Sequence, residues 1–420
     1  MIAHILSTGD EVLLGDIVDT NAAFLCGALK ELGIRVQKIS AVGDEIDMLA
    51  ATIKQIAVQA DLCLVTGGLG PTRDDMTALA CSQAAGDRLE MNPAALASMQ
   101  SYFKKRGFEL TRDNERQALL PSTATMLINH NGTAPGFYMR VQDCLFVFMP
   151  GVPSEMRIMM DREVKSVLAA EFNLNDDLLM ERLTVFGLGE SRVGSLLTGF
   201  ETKFPGLGLG FRADFPVVEV KIMLPHLRQD RQQAESDMAR AKQWAMDQLG
   251  DRVVSDRGWT LAQEVGHLLT RQKKTLAIAE SCTGGLIANM VTDVAGSSDY
   301  FLFSGVTYSN DAKMAVLKVN HQTLVDFGAV HEQTALEMAR GARQVAGADV
   351  AISTTGIAGP GGGTDDKPVG TVCIGLAGAQ TAMAKTYRFS FEDREKHKKM
   401  FAMTALELLR RHLVSLVKTV

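Results

Sequence analysis

The chain lacks long apolar runs, a secretion signal and paired cysteines. Within its 420 residues, no stretch reaches the roughly 20 uninterrupted apolar residues that a membrane-spanning helix needs. The N-terminus "MIAHILSTGDEVLLGD" has no basic region before its apolar residues, as a secretory signal would have. The six cysteines form no C-x-x-C pair, and we interpret all but Cys282 as reduced core residues. We therefore expect a cytoplasmic protein without a membrane partner.

Basic residues are also scarce relative to acidic ones. The chain has 43 Lys and Arg against 49 Asp and Glu, a formal net charge of -6. Nucleic acids attract basic surfaces, so this balance argues against a nucleic-acid partner. The apolar content of 46% and the charged content of 22% are typical of a globular protein. The length exceeds what one compact core usually holds, and two or three domains are expected.

An alternation of strand-like and helix-like segments predicts an α/β architecture. The strand-like pieces IAHIL, RVQKISAV and DLCLVTGG are separated by the helix-like pieces NAAFLCGALKEL and IDMLAATIKQIAVQA. Strands separated by helices of this length favour βαβ units and a parallel sheet. The polar stretch 170–177 looks like a boundary. We predict a first α/β domain at residues 1–170, a small α+β module at 171–254, and a last domain at 255–420 that resumes the βα alternation.

Three loops follow predicted strands of the first domain, with the sequences STGDEVLLG, TGGLGPTRDD and PGVPSE. Ligands of an open parallel sheet bind outside the carboxyl ends of its strands, so these loops are expected to meet at one crevice. Gly67, Gly68 and Gly70 let backbone amides approach an anion closely, and Thr72 lies beside them. The composition indicates a phosphate-binding site. The alternative is that these glycines only form turns.

Carboxylates accompany these glycines. Asp74 and Asp75 are suited to hold a hydrated divalent metal against phosphate oxygens. Further candidate carboxylates lie in the same three loops or after a neighbouring strand, namely Glu11, Asp44 and Glu155. In the alternative interpretation, the Asp pair caps the helix that follows it and the other carboxylates are solvated loop residues. The identity of the metal is open.

A serine and a cysteine stand side by side where the predicted strand LAIAESC meets a glycine pair. A serine hydroxyl becomes a nucleophile when a base removes its proton, and a lysine serves as that base once burial lowers its pKa. After Ser281, the segment GVTYSNDAK places Tyr308 at the end of a strand and Lys313 in the first turn of a helix. Tyr308 is suited to bridge the other two. Unrelated structural roles for the three residues are the alternative, and no G-x-S-x-G elbow indicates a Ser-His-Asp site.

Cys282 is the rival nucleophile. Neighbouring residues of a strand point to opposite faces, so only one of the pair is expected to face the crevice. Cys282 shares its parity with the bulky Leu276 and Ile278, whereas Ser281 shares a parity with two alanines. If the strand face that carries Leu276 and Ile278 packs into the core, Ser281 lies on the opposite face, where the alanines leave more space. We therefore favour Ser281.

A second glycine-rich loop, TTGIAGPGGGTDDKPVGT, follows another predicted strand. Accessible amides suited to a phosphate belong to Gly356, Gly359, Gly361, Gly362 and Gly363. Lys367 in this loop adds charge, and Arg394 and Lys398 at helical spacing are further candidate phosphate cations. The alternatives are a flexible connection without a ligand and a solvated helix face.

Six motifs stand in order along the chain: TGDEVLLGDIVDTN, TGGLGPTRDDMT, MPGVPSEM, AESCTGG, GVTYSNDAK and GIAGPGGGTDDKPVGT. Together they resemble the CinA family, the competence/damage-inducible proteins, over essentially the whole chain. The resemblance implies an N-terminal molybdopterin-binding-like domain of three-layer αβα architecture and a C-terminal α/β amidohydrolase domain. The small α+β module lies between them.

The resemblance also implies two activities. The first domain is similar to an ADP-ribose pyrophosphatase that depends on a divalent metal and releases AMP and ribose 5-phosphate. The last is similar to a nicotinamide-nucleotide amidohydrolase, which converts nicotinamide mononucleotide to nicotinate mononucleotide and ammonia without a cofactor. Its serine, tyrosine and lysine motif positions fall on Ser281, Tyr308 and Lys313. The amides expected to stabilise an oxyanion are those of Thr283, Gly284 and Gly285.

Two rival interpretations remain. The first domain only binds a nucleotide or a pterin, or the whole chain is a non-enzymatic competence or recombination partner. The adjacent Asp74 and Asp75 disfavour the first, since two carboxylates near phosphates need a metal to neutralise them, and the acidic balance disfavours the second. Where the family often has Gly-Asp-Arg followed by another arginine, this chain has Glu392-Asp393-Arg394 and then Lys398. We expect the nucleotides nicotinamide mononucleotide and ADP-ribose as ligands, and a homodimer as the assembly.

Overall fold

The computed structural model contains two compact units. We call them the N-unit, Met1–Leu179, and the C-unit, which comprises Met180–Leu224 and the described residues 231–417. The structure describes residues 1–72, 74–172, 179–224 and 231–417. No helix within these ranges has the length and apolar content needed to cross a membrane.

The boundary predicted at 170–177 falls mostly on residues 173–178, which lie outside the described residues. The predicted middle module and the predicted last domain both belong to the C-unit. The division into three domains stays a prediction.

A six-stranded sheet forms the centre of the N-unit, in the order β2-β1-β3-β8-β7-β6. Its strands are β1 (Ile2–Thr8), β2 (Arg35–Val42), β3 (Leu62–Thr66), β6 (Thr125–Leu127), β7 (Gly136–Val141) and β8 (Cys144–Met149). A separate ribbon pairs β4 (Leu89–Met91) with β5 (Leu119–Pro121). The helices are α1 (Asp10–Leu13), α2 (Thr20–Glu31), α3 (Ile46–Ala57), α4 (Thr77–Ala85), α5 (Pro93–Arg106), α6 (Arg112–Glu115), α7 (Pro153–Met159) and α8 (Lys165–Phe172).

Alternate residues of the central strands pack on opposite faces of this sheet. On β3, Cys63 packs into a core that includes Ile53 of α3. Its neighbour Leu64 packs into a second core that includes Leu25 of α2. Helices therefore cover both faces, because a strand alternates its side chains and each apolar face needs a partner. The predicted three-layer αβα architecture is confirmed.

The N-unit sheet is mixed rather than wholly parallel. β1 pairs in parallel with β2 and β3, and β3 pairs in parallel with β8. β7 pairs antiparallel with both β8 and β6. The connection from β7 to β8 is a tight turn in which Gln142 has a φ of 53°. So short a connection leaves no room for a crossover helix, which is why the expectation of a parallel sheet fails at this edge.

The first part of the C-unit is a small α+β module, as predicted. Its four-stranded sheet has the order β10-β11-β9-β12. Val218, Val220 and Ile222 are buried on one face of β11, and α11 packs against that strand. The strands are β9 (Leu179–Phe186), β10 (Gly208–Asp214), β11 (Val217–Leu224) and β12 (Val253–Ser255), and the helices are α9 (Glu190–Leu196), α10 (Phe200–Lys203) and α11 (Arg231–Leu249).

The second part of the C-unit is built on a five-stranded sheet in the order β14-β13-β15-β16-β17. β13 pairs in parallel with β14 and β15, whereas β16 pairs antiparallel with β15 and β17. The strands are β13 (Leu276–Glu280), β14 (Phe301–Val306), β15 (Val350–Gly356), β16 (Thr371–Ala377) and β17 (Ala382–Arg388). The helices are α12 (Leu261–Gln272), α13 (Leu286–Thr292), α14 (Asn310–Leu317), α15 (His321–Phe327), α16 (Glu332–Ala346) and α17 (Arg394–Val417).

Both faces of β13 are buried. Ile278 and Cys282 pack into a core shared with α12 and α17. Ala277 packs into a second core that contains Met338 of α16. The strand parity of Cys282 is therefore as predicted, but the alanine face is not roomy, because its small side chains let α16 pack closely on it. The parallel strands β13, β14 and β15 end at one edge of the sheet, where the candidate site of this unit lies.

Candidate active sites of the two units

Ser281 and Lys313 meet at the carboxyl end of the parallel strands. Ser281 directly follows β13, and Ser309 caps α14 by accepting a hydrogen bond from the amide of Ala312, 3.1 Å away. This cap sets the first turn of the helix, from which Lys313 reaches inward with a relative exposure of 1%. The distance between Lys313 Nζ and Ser281 Oγ is 3.1 Å. The structure thus brings together two of the three residues predicted to be catalytic.

Lys313 is held by two backbone carbonyls as well. Its Nζ donates to the carbonyl oxygens of Thr307 at 2.9 Å and Tyr308 at 3.0 Å. With the hydroxyl of Ser281, these carbonyls accept the three N–H groups of an ammonium; in the neutral amine the carbonyls accept both N–H groups and the lone pair is left for the hydroxyl. Burial lowers the pKa of Lys313, because the ammonium loses its hydration, whereas a thiolate at nearby Cys282 would raise this pKa. The arrangement favours a lysine that takes a proton from serine.

Tyr308 contacts Lys313 through its backbone carbonyl, and its ring is exposed. Its side chain is 64% exposed, and it is the carbonyl that contacts Lys313. Because Lys313 Nζ touches Ser281 Oγ directly, no gap is left for the phenol to bridge. The predicted relay by Tyr308 is therefore not needed for the contact, and its phenol lies at the solvent side of the site.

Cys282 is buried in the apolar core of the C-unit. Burial raises the pKa of its thiol to about 12, an effect that its own backbone amide and the charge of Lys313 oppose. The thiolate is the nucleophilic form of cysteine, so a thiol with this pKa is unreactive near neutral pH. Position and chemistry both favour Ser281.

The turn after Ser281 is fixed by a buried carboxylate. Glu280 Oε2 accepts hydrogen bonds from the amides of Gly285 at 2.9 Å and Ile287 at 3.2 Å, and Oε1 accepts from Ala288 at 2.9 Å. A negative charge is favourable at this end of α13, where amides lack helical partners. Sequence reasoning missed this role, although a glutamate just before a glycine pair that opens a helix was a usable signal. Gly284 and Gly285 take φ values of 63° and 93°, which glycine adopts without strain.

Of the amides predicted to stabilise an oxyanion, some already donate a hydrogen bond within the protein and one does not. The amide of Gly284 donates to Ser281 O at 3.1 Å, and that of Gly285 is bound to Glu280. In the part of the chain that the structure describes, the amide of Thr283 donates to no acceptor. The hydroxyl of Thr283 is buried and lies 2.7 Å from that of Thr354, a residue that sequence reasoning missed. Thr283 is thus fully buried, with its hydroxyl engaged and its amide without an acceptor in the described structure.

The glycine-rich loop follows β15 and is tied to the start of α17. The guanidinium of Arg394 donates to the carbonyl of Gly359. Lys398, one turn further on, lies close to the turn of the nucleophile, since a Cβ built on Gly284 would be 3.6 Å from its Nζ. Both predicted cations thus border the site, while Lys367 donates to the carbonyl of Phe327 at 2.8 Å.

The glycines of this loop differ in their roles. A Cβ on Gly356 would lie 2.5 Å from the carbonyl of Thr371, so this glycine permits close strand packing. Gly361 has open space around it and is exposed, as is Gly362 with a φ of 85°. Among the glycines of this loop, the amides of Gly359, Gly361, Gly362 and Gly363 have no acceptor in the described structure. The loop offers several free donors to an anion.

The three predicted loops of the N-unit line one cleft of about 380 Å³. The predicted residues that line it are Glu11, Gly67, Gly68, Gly70, Asp74, Asp75 and Glu155, together with Asp44. Gly67 and Gly68 also pack tightly, since a Cβ would lie 2.3 Å from Thr8 O and 2.1 Å from Thr77 Oγ1, respectively. Within the segment 67–70, the amides of Gly68, Leu69 and Gly70 have no acceptor in the described structure. The structural and ligand-binding interpretations of these glycines are compatible.

The Asp pair does not cap α4. The residue before that helix is Met76, and its cap has no side-chain hydrogen bond. Asp75 instead accepts hydrogen bonds from the amide of Thr72 at 2.9 Å and from its hydroxyl. The neighbouring Thr72 side chain and the backbone amide of Asp74 lower the pKa of the exposed Asp74 carboxyl. Thr72 therefore organises the carboxylates of its own loop.

The remaining carboxylates of the cleft lie in an electronegative surrounding. Burial raises the pKa of Asp44, and the charges of Asp10, Glu11 and Asp74 raise it further, against a backbone hydrogen bond from Asp10. Burial also raises the pKa of Glu155, which accepts a hydrogen bond from Asn129 at 2.7 Å. Among the described residues, no three side chains of His, Cys, Asp or Glu are grouped closely enough to hold a metal by themselves.

Comparison with known proteins agrees with this architecture. Residues 259–413 match the domain described as the CinA C-terminal domain, and residues 4–170 match a probable molybdopterin binding domain. A CinA-like protein of Desulforapulum autotrophicum is 48% identical over 419 residues, which is 99% of each chain. A CinA-like protein of Desulfosudis oleivorans is 48% identical over 416 residues, covering 99% of this chain and 100% of that one. The crystal structure of the competence/damage inducible protein CihA from Agrobacterium tumefaciens is 42% identical and covers 36% of this chain and 93% of that chain, with a TM-score of 0.36. The full-length identity shows that this chain belongs to the CinA family.

Proposed function

We propose that the C-unit hydrolyses the carboxamide of nicotinamide mononucleotide to nicotinate mononucleotide and ammonia. Membership of the CinA family points to a hydrolase-like role. The single observation that carries the finer proposal is the 3.1 Å contact between Lys313 Nζ and Ser281 Oγ. A buried lysine next to a serine hydroxyl is the arrangement that activates an alcohol for attack on an amide carbonyl.

The reaction follows from these contacts. Lys313 takes the proton of Ser281 as Oγ attacks the carboxamide carbon, with the amide of Thr283 as the proposed donor to the oxyanion. The proton passes to the leaving nitrogen, ammonia departs and an ester to Ser281 remains. A water molecule then attacks the ester as Lys313 accepts its proton, and Lys313 passes that proton to Ser281 Oγ as the acid product leaves.

The glycine-rich loop supplies the selectivity for a nucleotide in this proposal. Its free amides, with Arg394 and Lys398 beside it, match the charge and acceptor geometry of a phosphate. Lys398 near the turn of Ser281 would then place the phosphate on the same side as the reacting carboxamide. The Glu-Asp-Arg-then-Lys sequence thereby retains two cations at the site.

The deamidase proposal is tested by comparing Ser281→Ala with Cys282→Ala. We expect purified wild-type protein to release ammonia from nicotinamide mononucleotide, Ser281→Ala to release none, and Cys282→Ala to keep most of the rate, because Cys282 is buried with a raised pKa. An enzymatic ammonia assay measures the release by each protein. Retention in the serine variant with loss in the cysteine variant would reverse the assignment, and no release by wild type would refute the activity.

We further propose that the N-unit cleaves ADP-ribose to AMP and ribose 5-phosphate with the help of a divalent metal. The free amides of Gly68, Leu69 and Gly70 support a pyrophosphate site in the cleft. Of the described residues that line this cleft, none is lysine or arginine, so a bound pyrophosphate needs a cation from elsewhere. Incubation with ADP-ribose and chromatographic detection of AMP tests the activity separately from ammonia release.

The carboxylates present fit such a metal. Magnesium usually keeps several waters and is held by one or two carboxylates together with substrate phosphates, rather than by a complete protein cage. Asp74 is exposed and ionised and is the first candidate ligand, while Asp75, Glu11 and Glu155 line the same cleft. The metal would neutralise the phosphate charge and polarise the bond that water attacks. A cleft that only binds a nucleotide or a pterin is the alternative, and the AMP assay distinguishes the two.

A further inference from the structure

His397 is a fully buried imidazole that does not touch Ser281 or Lys313. It lies in the first turns of α17, with zero exposure. Its Nδ1 is 3.1 Å from the carbonyl oxygen of Ala358. Its Nε2 is 3.3 Å from the amide nitrogen of Phe391 and 3.1 Å from the carbonyl oxygen of Phe389. One side chain thus contacts both the glycine-rich loop and the segment that leads into α17.

The tautomer with a proton on Nδ1 makes the greater number of hydrogen bonds. In this form Nδ1 donates to Ala358 O, and Nε2 accepts from the amide of Phe391. In the other neutral form Nε2 donates to Phe389 O, but the lone pair of Nδ1 then faces the carbonyl of Ala358, and the amide of Phe391 loses its acceptor. We assign the Nδ1–H form on this count.

His397 sits where both ends of the glycine-rich loop come together. The amide of Gly370 donates to the carbonyl of Ile357 at 2.7 Å, which closes the loop. Ala358 is bound to Nδ1, and a Cβ built on Gly370 would lie 2.7 Å from Nε2. The packing at this end of the loop leaves no space for a side chain at position 370. The imidazole therefore fixes the base of the loop relative to α17.

The same contact orients the cations. Ala358 directly precedes Gly359, whose carbonyl accepts from Arg394, and Lys398 follows His397 in the helix. Releasing Ala358 would let the loop move relative to these cations, although the Ser281 and Lys313 contact lies elsewhere on the sheet edge. We propose that His397 is a positioning residue for the nucleotide phosphate: its Nδ1–H holds the glycine-rich loop against Arg394. This inference rests on the proposed deamidase function.

The experiment separates the two ends of the imidazole. In His397→Asn the side-chain amide replaces Nδ1 and keeps the bond to Ala358, whereas in His397→Gln the longer side chain reaches the Nε2 partners instead. Steady-state kcat and KM are measured for nicotinamide mononucleotide and for the corresponding nucleoside, which lacks the phosphate. His397→Leu removes both ends, and His412→Leu, a histidine on the same helix away from the loop, is the matched control.

We expect His397→Leu and His397→Gln to raise KM for the nucleotide about tenfold, since each loses a hydrogen bond to a buried acceptor, with kcat and the nucleoside KM near wild type. His397→Asn should restore the nucleotide KM, and His412→Leu should not change it. Equal KM increases for nucleotide and nucleoside, or rescue by Gln rather than Asn, would overturn the inference. If His397→Leu fails to fold, the Asn and Gln pair decides. If the wild-type protein releases ammonia and every His397 variant keeps the wild-type KM, the inference about His397 is refuted and the deamidase proposal stands. If the wild-type protein releases no ammonia, both proposals are refuted.

Discussion

Lys313 is the residue on which the proposed chemistry turns, because only a neutral amine accepts a proton. Burial lowers the pKa of its ammonium, so the neutral fraction appears at lower pH than for a free lysine. We predict that kcat/KM for ammonia release rises with pH, along a limb whose midpoint lies below the unperturbed value of about 10.4. The direction follows from the base form, which grows as pH rises through the lowered pKa.

Lys313→Arg extends the same prediction. Guanidinium stays protonated throughout the accessible pH range, so this variant keeps the charge and loses the base. We expect a fall in kcat of about 100-fold or more, the range typical of a lost general base. Lys318→Arg, at the exposed end of the same helix, should behave as wild type. Substantial activity of the Lys313→Arg protein would identify residue 313 as a substrate-binding cation.

For single residues, the sequence predicts which side chains occupy the candidate site better than it predicts how buried each of them is. Helix capping after Tyr308 places Lys313 in a first turn, and strand parity assigns Cys282 to the core; both follow from local geometry and agree with the structure. The exposure of Tyr308 and the burial of Thr283 do not follow, since they depend on which distant segments cover the strand ends. Local sequence patterns do not show which distant segments pack over the strand ends.

Among the structural elements, α13 depends on a charge that lies outside it. Its first amides are bound by the carboxylate of the buried Glu280, at the end of the preceding strand. We predict that Glu280→Gln lowers the free energy of unfolding by about 1–3 kcal/mol, because an NH2 group replaces an acceptor and leaves amides unpaired. Ammonia release should fall as well, since the same turn carries Ser281.

Urea unfolding and the ammonia assay on one preparation measure both effects. Glu190→Gln is the control, because Glu190 is an exposed glutamate in the first turn of another helix of the C-unit. A Glu280→Gln protein with the unfolding midpoint and rate of wild type would mean that the three hydrogen bonds contribute nothing to this turn.

The apolar periodicity and the length of each segment predict the strands and helices. They do not predict whether two strands pair in parallel or antiparallel. β2 coincides with the predicted segment RVQKISAV, and β1 and β3 with their counterparts. The antiparallel pairing of β16 with β15 is not visible in the strand itself. A long glycine-rich connection without a helix separates the two strands, and that connection makes an antiparallel neighbour possible.

On the scale of the whole molecule, each candidate site is assembled from residues of a single unit. The N-unit cleft is lined by loops after β1, β3 and β8, and the Ser281 site by loops after β13, β14 and β15. Each sheet has its own apolar cores. A sequence of repeated βα segments predicts such strand-end sites, but it does not tell which carboxylates of a loop remain free for a ligand.

Separate assembly predicts independent chemistry, and Asp74→Asn is the sharpest test. Asp74 is exposed, so its amide analogue removes the proposed metal ligand without disturbing the fold. We predict that this variant raises the metal concentration for half-maximal AMP formation about tenfold or more, and that ammonia release is unchanged. Asp87→Asn is the control, because Asp87 similarly accepts hydrogen bonds from Ser122 and Thr123 but does not line the cleft. A chelator that stopped both reactions equally would show that the two units share a metal requirement, contrary to the separate residue sets from which they are built.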